Sequence, residues 1–184
     1  MIHSSSLDDQ LREMYGRVAY THKTHEKMVD NYILCYRQIK KIEIALSSLA
    51  TGSLIISIWG DSRHGAIISA VLSTFLLAIT LYFKEISLVE QAQKHATVAS
   101  KLWGVREQLL SLLIDMQDSL SSEDLRQQRD VINKALEEIY KDAPRTDQRA
   151  YAAAKRALKA EEELFFTDNE LDLMLPHVLR RTKK

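Results

Sequence analysis

Two apolar runs, "IALSSLATGSLIISIW" (44–59) and "GAIISAVLSTFLLAITLYF" (65–83), carry no charged residue, and only Gly60, Asp61, Ser62, Arg63 and His64 stand between them. As helices they would extend about 24 to 29 Å each, close to the ~30 Å hydrocarbon core of a bilayer. A hairpin inside a soluble protein would show charges every few residues on its outer face. Here Asp61 and Arg63 are the only charges from Ile44 to Phe83, while the rest of the chain is dense in Lys, Arg, Asp and Glu. A span in lipid must satisfy its own backbone hydrogen bonds, so both runs must be helices, and the short turn makes them antiparallel neighbours.

The flanks set the orientation. Arg37, Lys40 and Lys41 precede the first run and Lys84 follows the second, whereas the turn offers only Arg63 beside Asp61. Basic residues favour the cytoplasmic side, which puts both termini in the cytoplasm. The start "MIHSSSLDDQ" has no basic stretch followed by an apolar core, so the first span is expected to act as its own insertion signal. A formal net charge of +0 gives no basic surplus for direct nucleic-acid binding. The single Cys35 cannot form an internal disulfide and reads as a packed thiol.

Outside the hairpin the pattern is helical. Leu7, Leu11, Met14, Val18, Val29, Tyr32, Tyr36 and Ile39 recur at spacings near three and four, which predicts a long amphipathic helix leading into the membrane. After the second span the sequence continues without proline, with Leu88, Ala92, Ala99, Trp103, Leu110 and Leu113 tracing one side. These two helices leave the same end of a hairpin and are expected to pack together. Ser121 with Asp124 three residues on predicts a helix start, Pro144 a stop, Thr146 or Asp147 a new cap, and "TDNE" (167–170) a capping pattern before a short last helix ending near Pro176. The expected architecture is an all-α membrane protein. Residues 1–41 form an N-terminal cytoplasmic helix, 42–84 the transmembrane hairpin, and 85–184 a cytoplasmic helical region that completes a bundle.

This order, with "LWGVREQLLSLLID", "YKDAPRTDQRAYAAAKRAL" and "FTDNELDLMLPHVLR" after the hairpin, resembles the SLATT domain, a two-transmembrane effector family of bacterial conflict and antiphage systems. The resemblance covers most of residues 7–180 and rests on scattered positions: Trp103, Arg106, Pro144, Thr146, Tyr151, Leu175 and Pro176. It implies an abortive-infection effector that forms a homo-oligomer in the lipid of the bacterial inner membrane and permeabilises it on a signal from a partner. That partner would be a nucleotide second messenger, its synthase or an associated reverse transcriptase. Trp103, Arg106, Tyr151 and Pro176 are then candidates for cytoplasmic packing.

No enzyme chemistry stands out. "HKTHE" places His22, His25 and Glu26 where they can share a helix face, but it lacks the HExxH order and sits beside Lys23 and Lys27, so it reads as a solvated or partner-facing patch and not as a metal site. His64, His95 and His177 are isolated, and neither a glycine-rich phosphate loop nor a GxSxG elbow is present. No catalytic residue, metal or cofactor is expected.

The spans carry the more informative residues. On a helical wheel Gly65, Ser69, Ser73 and Thr80 fall within about 80° of one another, and Glu43, Ser47 and Thr51 form a second stripe at the mouth of the first span. Such stripes either let helices approach closely or face water in an oligomeric pore. Glu43 is either a member of an acidic ring or an interfacial residue beside Lys40. Two functions remain open: a triggered permeabiliser, and a membrane-anchored module whose helices recruit a partner without forming a pore.

Overall fold

The computed structural model of the chain describes residues 2–60, 63–117, 121–164, 166–176 and 180. Its backbone is organised by α1 (Ile2–Trp59), a single helix of 58 residues and therefore about 87 Å long. The amphipathic leader and the first span are thus one rod. Antiparallel to it run α2 (Arg63–Ile86) and α3 (Leu88–Asp115), so α1 is packed by α2 in the apolar half and by α3 in the polar half. Asp61 and Ser62 of the expected turn, His177 and residues 181–184 of the C-terminal tail lie outside the described residues.

The apolar half is a membrane hairpin. Both helices pass the length and hydropathy requirements for a span, and almost none of their apolar windows is buried within the chain. Ile44, Ile56, Ile58, Val71, Phe75 and Leu77 are all more than half exposed. Outward apolar side chains at this density match lipid as solvent. The hydroxyls are accommodated by the helix itself: Ser48, Thr51, Ser53 and Thr74 each donate to the carbonyl four residues earlier, at 2.8 to 2.9 Å.

The polar half is a helical bundle built on heptad spacing. Leu11, Val18, His25, Tyr32 and Ile39 follow every seventh residue on α1, and Leu88, His95, Leu102 and Leu109 do the same on α3. A strict seven-residue repeat keeps one seam facing its partner along a whole antiparallel pair. The core joins Leu7, Leu11, Met14 and Val18 to Val98, Leu102, Val105, Leu109 and Leu112. Leu125, Ile132 and Leu136 of α4 (Ser122–Lys141) close this core. On another side of α1 lies α5 (Gln148–Lys159), through Ala150, Ala154, Ala157 and Leu158. The last element is the short α6 (Asp168–Met174), which buries nothing.

The capping signals correspond to real caps. Ser121 accepts a hydrogen bond from the Asp124 amide, Asp147 from the Ala150 amide, and Thr167 with Glu170 forms a reciprocal capping box. Two boundaries differ from the sequence reading. The exit helix does not run unbroken from the second span: Ser87 lies in the left-handed region at φ 46°, separating α2 from α3. The alanine-rich helix ends at Lys159, before the glutamate run, and Glu162 has φ 51°. A non-glycine residue in this region costs about 1 kcal/mol or more, so each break must be held by its surroundings. At Glu162 the reason is visible, since it delivers Glu163 to two lysines of α1.

Candidate functional site

The hairpin seam divides the small and hydroxyl residues of the spans. Gly65 and Ser69 are buried against α1, and a Cβ at Gly65 would lie 2.7 Å from the Ser53 carbonyl oxygen and 3.0 Å from the Ser57 Cβ. Close approach of the two backbones therefore requires glycine here. On α1, Ala50 is the buried counterpart, with Leu46, Ser53 and Ser57 half-buried. Ser47, Thr51 and Ser73 remain exposed on the outside of the hairpin, while Thr80, also exposed, turns its hydroxyl to Glu43 of α1. The stripe that seemed continuous on a wheel is thus split, because the seam follows 65, 69, 72 and 76 while Ser73 is turned one residue past it.

Glu43 sits where the first span meets the bundle. Its carboxylate accepts a hydrogen bond from the Lys40 ammonium at 2.7 Å and from the Thr80 hydroxyl at 3.1 Å, so it ties α1 to α2.

In the bundle the structure brings together histidines that the sequence left apart. His22, His25 and His95 are all buried, at 4%, 2% and 1% exposure, which overturns the reading of "HKTHE" as a solvated patch. The Nδ1 atoms of His25 and His95 are 2.8 Å apart, and the Tyr32 ring lies against His95 with centroids 5.6 Å apart. Two neutral imidazoles make this bond if one donates from Nδ1–H and the other accepts at Nδ1. Burial pushes the pKa of His25 down to about 4, helped by the neighbouring His95 and His22, and burial lowers His95 as well, against a weaker opposing effect of Asp147. Burial likewise lowers His22, whose Nε2 faces Glu26 at 3.5 Å while its Nδ1 is buried without a hydrogen-bond partner. Among the described residues no group of three or more His, Cys, Asp or Glu side chains is arranged to hold a metal ion. The signal for the His25–His95 pair was present in the heptad register, where both occupy seam positions.

Beside this cluster is a clasp. Lys23 is buried and pairs with Glu26 and Glu163, and Lys27 reaches the same Glu163 at 2.9 Å. Hydrogen bonds from Lys23 and Lys27 hold Glu163 down at about pKa 2. Burial lowers Lys23, but the hydrogen bonds to Glu163 and Glu26 outweigh it and leave the ammonium stabilised.

The sequence matches the SMODS and SLOG-associating 2TM effector domain family 4, SLATT family 4, over residues 7–170. The chain belongs to this family. No curated protein and no solved structure matches it. As a SLATT domain it is a two-span effector domain, and its expected packing residues are placed as follows. Trp103 is 53% exposed, because the α3 seam runs through Leu102 and Leu109, one residue before Trp103 and Leu110. More than half of its surface is left uncovered by its own chain. Arg106 is partly buried, bonded to Glu107 at 2.6 Å, with its Nη1 buried and unpartnered. Tyr151 is half exposed and stacks on Tyr20 at 6.0 Å, joining α5 to α1. Pro176 is exposed beyond α6. Cys35, read as a packed thiol, is exposed on α1.

Proposed function

We propose that this SLATT domain is an effector of the bacterial inner membrane, with both termini cytoplasmic, that assembles into a homo-oligomer and permeabilises the membrane when a sensor partner or nucleotide signal triggers it. The observation that carries this reading is the exposure of Ser47, Thr51 and Ser73, with Ser48 and Thr74 beside them, on a hairpin whose outer surface is otherwise largely apolar. Two helices cannot enclose water, so a conducting path must be built from several chains, and its walls need groups that tolerate hydration. Exposed hydroxyls already satisfied by their own helix, such as Thr51, tolerate both lipid and water, which suits a surface that changes surroundings on assembly. In the bundle the exposed Trp103, Leu110 and Ile114 offer apolar surface between neighbouring chains.

The deciding experiment measures membrane potential and cross-linked oligomer on the same cells. The triggered parent depolarises the membrane and stops growth. Ser73→Leu keeps the oligomer and loses depolarisation if Ser73 lines the path. A triggered parent that leaves the potential intact rejects the permeabiliser reading in favour of the membrane-anchored module. That second reading is supported by the exposed Phe166, Leu171, Leu173 and Met174 around α6, a surface suited to recruiting a partner.

A further inference from the structure

The break at Ser87 opens a cleft between the end of α2, the start of α3 and the part of α1 that enters the apolar half. This cleft has a volume of about 310 Å³ and lies at the level where the charge-free runs end. Its floor is apolar, with Ile39, Phe83 and Leu88. Its polar side carries Lys40, Lys84 and the Tyr36 ring, together with the Glu43 carboxylate and Thr80. Lys40 is neutralised by Glu43, whereas no ion pair forms at Lys84 among the described residues, so the cleft holds one uncompensated positive charge.

We propose that this cleft binds an anionic phospholipid of the leaflet on the bundle side, with the lipid phosphate on Lys84 and the first part of its acyl chains over Phe83 and Leu88. Three observations converge. The site is at headgroup depth, where basic pockets beside membrane helices meet anionic lipids. Its polarity runs from cationic to apolar in the order a phospholipid presents, an order that a soluble phosphate would leave half unused. The left-handed Ser87 lines the cleft at the junction of α2 and α3. The site requires only that the hairpin is in a membrane, so it does not rest on the permeabiliser reading.

The test uses the full chain in a neutral detergent, with thermal unfolding followed as short-chain phosphatidylglycerol, phosphatidylcholine or glycerol phosphate is added. Phosphatidylglycerol at about a hundredfold excess over its Kd is expected to raise Tm by roughly 5 °C, with little effect of the other two. Lys84→Gln should lose the shift, Lys84→Arg should retain it, and Lys41→Gln, a basic residue outside the cleft, should retain it too. Native mass spectrometry of the parent should show phosphatidylglycerol kept in preference to phosphatidylcholine, a reading that holds even if Lys84→Gln folds poorly. Equal shifts from the two lipids, an equal shift from glycerol phosphate, or a shift that survives Lys84→Gln each overturns the proposal.

Discussion

His25 and His95, seventy positions apart in sequence, meet Nδ1 to Nδ1 at 2.8 Å in the α1–α3 seam. The bond works only while at least one ring is neutral on the facing nitrogen, and doubly protonated rings would set two N–H groups against each other without water. Groups facing the pair include Tyr32 and His22 from α1 and Asp147 from the start of α5.

A pH dependence follows, with a definite sign. His22, His25 and His95 all have folded-state pKa values below the ordinary 6.5, so the unfolded chain binds more protons than the folded one once pH drops below that value. Stability is therefore fully present above pH 6.5 and falls progressively towards pH 4. Unfolding of the detergent-solubilised chain followed by circular dichroism should show Tm decreasing across this window. Replacing the pair by His25→Leu with His95→Phe should flatten the slope. A Tm constant from pH 7 to 4.5 would show that the rings protonate without penalty.

Leu102→Ala and Leu109→Ala should each destabilise the bundle by about 2 to 5 kcal/mol, since both side chains are fully enclosed. Trp103→Ala, one residue away, should change unfolding little and instead reduce the oligomer recovered in detergent. Equal losses of stability at Leu102 and Trp103 would place both residues in the core.

Gly65→Val and Ser69→Leu should separate the spans, because the Gly65 position leaves 2.7 Å to the Ser53 carbonyl oxygen and Ser69 is buried. Ser73→Leu should leave the hairpin intact. A cysteine cross-link between Ser53 and Ser69 on a Cys35→Ser background reports spacing, and its persistence in Gly65→Val would show that the helices can shift to admit the side chain.

Glu163→Gln should release the segment after α5 from α1. Lys23 keeps Glu26 as its partner, so the cost is expected to be about 1 to 2 kcal/mol, far below that of an orphaned buried charge. Limited proteolysis should then cut sooner between Lys159 and Thr167, and an unchanged cleavage rate would show that the ion pairs do not hold the segment.

Topology can be read at the turn. In a Cys35→Ser background, Arg63→Cys should react with an impermeant maleimide added outside spheroplasts, and a reporter after Lys184 should be active only in the cytoplasm. Labelling of Arg63→Cys only after lysis would invert the orientation.

The sequence by itself determined the hairpin, because about forty residues with two charges leave the chain no solvent other than lipid for so much apolar surface. It also determined the caps at Ser121 and Thr167, since capping is a contact among residues three apart, while the structure chose Asp147 over Thr146 for α5. What depends on register or on distant partners required the tertiary structure. Periodicity near three and four could not separate Leu102 from Trp103, because a wheel tolerates an error of one residue while a seam does not. It grouped Gly65, Ser69, Ser73 and Thr80, and only the approach of α1 buried Gly65 and Ser69, gave the Thr80 hydroxyl Glu43 as partner and left Ser73 outside. The histidines sat at heptad positions, but that His25 faces His95 depends on where the two antiparallel rods stop relative to each other, which is set by the turn and by the break at Ser87. The early end of α5 has the same origin: its local preference is helical throughout, and ion pairs from Glu163 to Lys23 and Lys27 outweigh it.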